Sequence, residues 1–132
     1  MKFPKAGMKL QGFVISEKEA GVVTVKMTPL GISEYLDTKA FSFLKLYLFS
    51  VPLYVVICDK VSKVAPPTIE WDDKMMCGPV LIFGREDGLR SLNDSELDLI
   101  RDSIDMEKCK GDCILLLKNV SAKAENWAVV DA

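Results

Sequence analysis

Four side chains have the types suited to holding a small ligand: Trp71, Asp72, Arg85 and Arg90. A tryptophan beside two acids can take a cation or a sugar, and the arginines would add polar groups to the same pocket. The remaining reactive groups are harder to assemble into chemistry. The chain has no histidine, which removes the usual general base and the commonest zinc ligand together. Cys109 and Cys113 are closely spaced, but no second close pair or histidine accompanies them, and Cys58 and Cys77 stand apart in apolar surroundings. A nucleophile at Cys77 would need Lys74 or a helix N-terminus to lower its thiol pKa. The acids come as adjacent pairs, Asp72-Asp73 and Glu86-Asp87. Adjacent side chains on extended backbone point to opposite faces, which is poor geometry for paired acid–base work. Gly84-Arg85-Glu86-Asp87-Gly88 is too acidic to cradle phosphate and has no Lys-Ser/Thr after it. The expectation is a protein without catalytic residues, metal or cofactor. Small-ligand binding at Trp71, Asp72, Arg85 and Arg90 is the first alternative, and an enzyme using Cys77 or a carboxylate pair is the second.

Those residues need elements to position them. The best-specified stretch runs from Met75 to Ile104. Val80-Leu81-Ile82-Phe83 is an apolar run between Gly78-Pro79 and Gly84, the pattern of a strand buried on both faces. Asp87-Gly88 marks a turn. Asn93 and Glu96 then have capping-box spacing, and Leu92 and Leu97 have the spacing of a hydrophobic staple. Leu97, Ile100 and Ile104 share one helical face.

From Cys77 to Ile100 this pattern resembles an uncharacterised family of small proteins from phages and mobile elements of gut bacteria. That family has a Gly-bounded apolar strand, an acidic Gly-containing turn, then Ser-Leu-(Ser/Thr)-Asp-x-(Glu/Gln) opening a short helix. The strand Tyr54 to Asp59 and the Pro66-Pro67 connection are similar to the segments that precede it there. About half the chain is covered, and Asn93 stands where the family has Ser or Thr. The resemblance implies a phage or mobile-element accessory protein and carries no activity with it.

The rest of the chain is ordinary globular sequence. Of 132 residues, 49% are hydrophobic and 27% charged, so one domain spanning residues 1–132 is expected. A net charge of −2 without a basic stripe argues against direct nucleic-acid binding, although an acidic mimic of DNA stays open. The N-terminus lacks the apolar region of a signal peptide, so the expected location is cytoplasmic. Gly12 to Ser16 and Val22 to Met27 read as a hairpin, with Gly21 at its turn. Pro29-Leu30-Gly31 reads as a break, followed by a helix from Glu34 to Phe43 capped by Ser33. Phe41 to Cys58 has the length of a minimal membrane span, but the alternation of Leu44, Leu46 and Leu48 with Lys45, Tyr47 and Phe49 favours two strands separated near Ser50-Val51-Pro52. Lys60 to Trp71 reads as a connection. Cys113 to Lys118 and Trp127 to Val130 read as further strands, the last at an edge.

The fold predicted is α+β: a mainly antiparallel sheet of about five to six strands with two principal helices on one face. The function predicted is a non-enzymatic interaction protein, a phage or mobile-element accessory factor that binds a host or phage protein. Its interaction patch is placed around Leu46, Leu48 and Phe49. Self-association as a homodimer stays open, and no membrane contact is expected.

Overall fold

The computed structural model describes residues 4, 5, 7–16, 19–36, 41–58, 67–71, 74–105, 116–117, 120–121 and 128–129. In chain order these form β1 (Lys9–Ile15), β2 (Ala20–Lys26), α1 (Pro29–Leu36), β3 (Phe41–Leu48), β4 (Val51–Cys58), β5 (Pro67–Trp71), β6 (Lys74–Cys77), β7 (Val80–Arg85), β8 (Leu89–Arg90), α2 (Asp94–Ser103), β9 (Ile104–Asp105), β10 (Leu116–Leu117), β11 (Val120–Ser121) and β12 (Ala128–Val129). The main sheet has the order β11-β3-β4-β7-β1-β2, with β12 also on β3 and β8 on β7. Every pairing in it is antiparallel. A second sheet, β6-β5-β10-β9, was not expected; it carries one parallel pairing, Leu117 with Ile69. The fold is α+β.

The main sheet has two cores because its central strands alternate between two buried faces. Val80 and Ile82 of β7 join Val55 and Ile57 of β4 on one face, while Leu81 and Phe83 join Tyr54 and Val56 on the other. The expectation of a strand buried on both sides holds for β7, where Val80 through Phe83 are fully enclosed. Leu97 and Ile100 of α2 complete the first core, and Ile32 and Leu36 of α1 complete the second. The helices therefore cover opposite faces of the sheet, not a single face. Strands apolar on both sides require this, since a bare second face would leave Leu81 and Phe83 in water.

Phe41 to Cys58 forms the β3–β4 hairpin, registered from Phe41↔Cys58 to Leu48↔Val51. No helix among the described residues is long and apolar enough to cross a membrane. The first helix lies earlier than expected. Thr28 caps it by accepting the Gly31 N–H at 3.0 Å, and Pro29 takes the first helical position, where its missing N–H costs nothing. Gly31, read as part of a break, is inside the helix, where a Cβ would collide with the Lys26 carbonyl and only glycine fits. Ser33 is not a cap; its hydroxyl donates to the Leu30 carbonyl. Gly21 also moves, from the expected turn into β2 opposite Val14. The β1–β2 turn is closed instead by Ser16, whose N–H donates to Glu19 O at 2.8 Å and whose Oγ accepts the Glu19 N–H.

Residues 67–71, expected in a connection, form β5 and pair with β6. Of the expected strand from Cys113 to Lys118 only Leu116–Leu117 is described, as β10. Ala128–Val129 pairs with β3 at the sheet edge, as expected. Cys109 and Cys113 lie outside the described residues.

Candidate functional site

The reach of chain from β7 to α2 decides what the two arginines can do. Arg85 ends β7 and Arg90 ends β8, and the strands pair as Gly84↔Arg90 and Arg85↔Leu89. Arg85 stands on the same face as Leu81 and Phe83; Arg90 lies across from Gly84, toward α2. Asp87-Gly88 makes the link at the expected place, with φ of 51° and 122° and the Glu86 N–H donating to Gly88 O.

Arg90 is spent inside the protein. Its Nη1 and Nη2 donate to Glu96 Oε1 and Oε2 at 2.7 and 2.8 Å, and Nη1 also reaches Ser91 O. Glu96 Oε1 accepts the Asn93 N–H at 3.0 Å, while Asn93 Oδ1 accepts the Glu96 N–H at 2.8 Å. The expected capping box is therefore present, and the bidentate arginine holds its glutamate in place. Arg90 Nε lies 3.3 Å from Glu86 Oε2, near enough for an ion pair, but is not aligned for a hydrogen bond. Gly84 makes room for the guanidinium, because a Cβ there would overlap Arg90 Nη1 and come within 3.0 Å of Ser91 O. Burial is the largest influence on Glu96 and opposes its charge. The Arg90 hydrogen bond, the Asn93 N–H and the Arg90 charge together overcome it and hold the carboxyl below its ordinary value. The same hydrogen bond to Glu96 is the main cause that raises Arg90, against its own desolvation.

Arg85 is placed differently. Its Cζ sits 4.6 Å from the Tyr47 ring centroid and 5.5 Å from that of Tyr54. Nη2 points to Leu46 O at 3.5 Å. Tyr54 continues inward edge-to-face onto Phe43, and Phe43 onto Phe41. An aromatic row thus runs from the core to the β3–β4 turn, closed by a cation on the outermost ring. Pairing of β4 with β7 stops at Leu53↔Gly84; Pro52, which has no N–H, follows on the turn side.

At the turn itself, Phe49 and Ser50 have φ of 49° and 67°. Positive φ at both central residues is the geometry of a tight hairpin turn that normally takes Asn-Gly. A phenylalanine in that conformation is a backbone outlier, of the kind that costs about 1–3 kcal/mol. Phe49 is also 55% exposed, and Tyr47 36%. The expected patch of Leu46, Leu48 and Phe49 is corrected accordingly: Leu46 and Leu48 are 2% and 1% exposed and belong to the core under α2. The strand alternation turns Tyr47 to the other face and leaves Phe49 at the tip, so the surface comprises Tyr47 and Phe49. The signal was available in the sequence, since Tyr47 has opposite parity to Leu46 and Leu48 and the turn is Phe-Ser where Asn-Gly is usual.

Trp71 is the last residue of β5, opposite Lys74, and Asp72 lies outside the described residues. The two arginines are on opposite faces, so Arg85 and Arg90 do not converge on one ligand. Comparisons with protein families, with curated proteins and with solved structures gave no match to this chain.

Proposed function

We propose that this chain is a non-enzymatic interaction protein whose β3–β4 tip recognises another protein, in the manner of a phage or mobile-element accessory factor acting on a host protein. The observation that carries the reading is Phe49: a large aromatic side chain, mostly exposed, at a backbone position where glycine or asparagine would be easier. Strain of this kind is retained where the side chain is used. Tyr47 beside it is held by Arg85, which lowers the ordering cost of presenting the ring to a partner. Aromatic anchors beside an arginine are the side chains that dominate protein interfaces. The absence of histidine and the internal commitment of Arg90 to Glu96 weigh against catalysis and against anion capture.

A photoreactive phenylalanine analogue at position 49 tests the reading in cells of a bacterial host. A discrete adduct is expected, lost when Tyr47 is changed to Ser and absent when the analogue is placed at the remote exposed position Leu30. Equal adducts from both positions, or full biological activity in a Tyr47→Ser, Phe49→Ser double variant that remains folded, would overturn it.

A further inference from the structure

The opposite border of the main sheet carries a second surface, independent of the hairpin tip. β2 is the terminal strand of the sheet, and among the described residues no strand pairs with its outer side. The Ser16–Glu19 and Met8–Met27 backbone bonds bracket the β1–β2 ladder. Alternation between them assigns Gly21, Val23 and Val25 to bonding with β1, and turns the N–H and C=O groups of Ala20, Val22, Thr24 and Lys26 outward. Tyr35 OH donates to Thr24 O at 3.3 Å, as an outward carbonyl allows. Lys26 is closed off, since its carbonyl accepts the Thr28 N–H and lies against Gly31 of α1. The open edge is therefore Ala20 to Thr24, with Val22 at its centre.

Apart from Tyr35 at the Thr24 carbonyl, this edge lacks the features that keep sheet borders from pairing. From Ala20 to Val25 there is no proline and no charge, the register with β1 is unbroken, and four consecutive residues are β-branched. Val22 is 39% exposed. It lines an open groove of about 580 Å³ with Gln11, Leu97, Asp94, Asp98 and Arg101.

We propose that β2 pairs antiparallel with β2 of a second copy, about a two-fold axis through Val22, to give one continuous sheet across a homodimer. A second copy fits because self-pairing about Val22 sets no charge against a charge from Ala20 to Thr24. Val22 exchanges both backbone bonds with Val22 of the second copy, and Ala20 does so with Thr24 on either side, using the second lone pair of the Thr24 carbonyl that Tyr35 OH already donates to. The two Val22 side chains meet on the axis, beside the groove walled by Leu97. The two-fold also runs the α2 stripes antiparallel, so Asp94 and Asp98 of one copy lie toward the Arg101 end of the other. Arg101 Nη1 also lies 3.5 Å from Asp98 Oδ1 of its own helix, so the second copy's acids add to an exposed pair in that arrangement, whereas a parallel one would set like charges together.

Sedimentation velocity across micromolar concentrations is expected to show the protein moving from chain mass to twice chain mass. Val22→Lys places two cations opposite each other on the axis and should raise the dissociation constant roughly tenfold or more with an unchanged circular dichroism spectrum. Val22→Cys should form an interchain disulfide under mild oxidation beyond the wild-type background, because residues on the axis are about 5.5 Å apart in this register. Thr24→Cys, which faces Ala20, should not. A wild-type monomer throughout, no crosslink from Val22→Cys, or equal crosslinking from Thr24→Cys would overturn the proposal.

Discussion

Arg85 and Arg90 sit on paired strands of one short hairpin and are both half-buried, yet one is held in a bidentate ion pair and the other stacked on tyrosine rings. Arg90 is bound by two carboxylate oxygens and packs over a glycine. Arg85 lies against two tyrosine rings next to the exposed turn. Arg90 joins β8 to the start of α2, so its loss should be felt by the whole fold. Arg85 organises a surface, and its loss should be felt mainly by whatever touches that surface.

Five measurements break or sharpen this contrast. Glu96→Ala removes the bidentate partner of Arg90, leaving it Ser91 O and Glu86, and takes away half the capping box; it should cost about 2–3 kcal/mol in chemical denaturation. Gly84→Ala pushes a Cβ into the guanidinium and should cost roughly 1–3 kcal/mol; an unperturbed variant would mean Arg90 has another comfortable position. Acid titration of stability gives the third. Glu96 is held below its ordinary value near 4.5, so its contribution is present above that pH and is lost as pH falls through the lower folded value. Glu96→Gln should flatten that part of the profile, whereas Arg85→Met should leave it in place. Arg85→Met should itself cost only about 0.5–1 kcal/mol. If it matches Glu96→Ala, the division of labour between the arginines is wrong. The last variant carries the most functional weight: Phe49→Asn with Ser50→Gly relieves part of the strain in the turn and should stabilise the fold by up to about 1 kcal/mol while abolishing biological activity. A double variant that is both more stable and fully active would remove the reason for keeping Phe49.

How far the sequence reading reached depended on how local the physics was. The capping box at Asn93 and Glu96, the turn at Asp87-Gly88 and the strand Val80 to Phe83 were all legible, because each is set by neighbours within a few residues. The hairpin from Phe41 to Cys58 was legible from alternation, but its surface was misjudged. Leu46, Leu48 and Phe49 were grouped by nearness in sequence, although strand parity puts the two leucines into the core. The first helix was misplaced for a different reason. Pro29 and Gly31 are poor helix residues in isolation, and only the close approach of α1 to the Lys26 carbonyl requires a glycine there.

The sequence alone therefore determined element type wherever caps, turns and periodicity act over short range, and it excluded histidine chemistry outright. The tertiary structure decided which face each helix covers, which arginine meets a carboxylate and which meets aromatic rings, and which strand is left at the border of the sheet. Those outcomes depend on strand order and register. Pairings such as Leu53↔Gly84 and Phe13↔Val22 join positions whose relation emerges only once the strands have packed side by side.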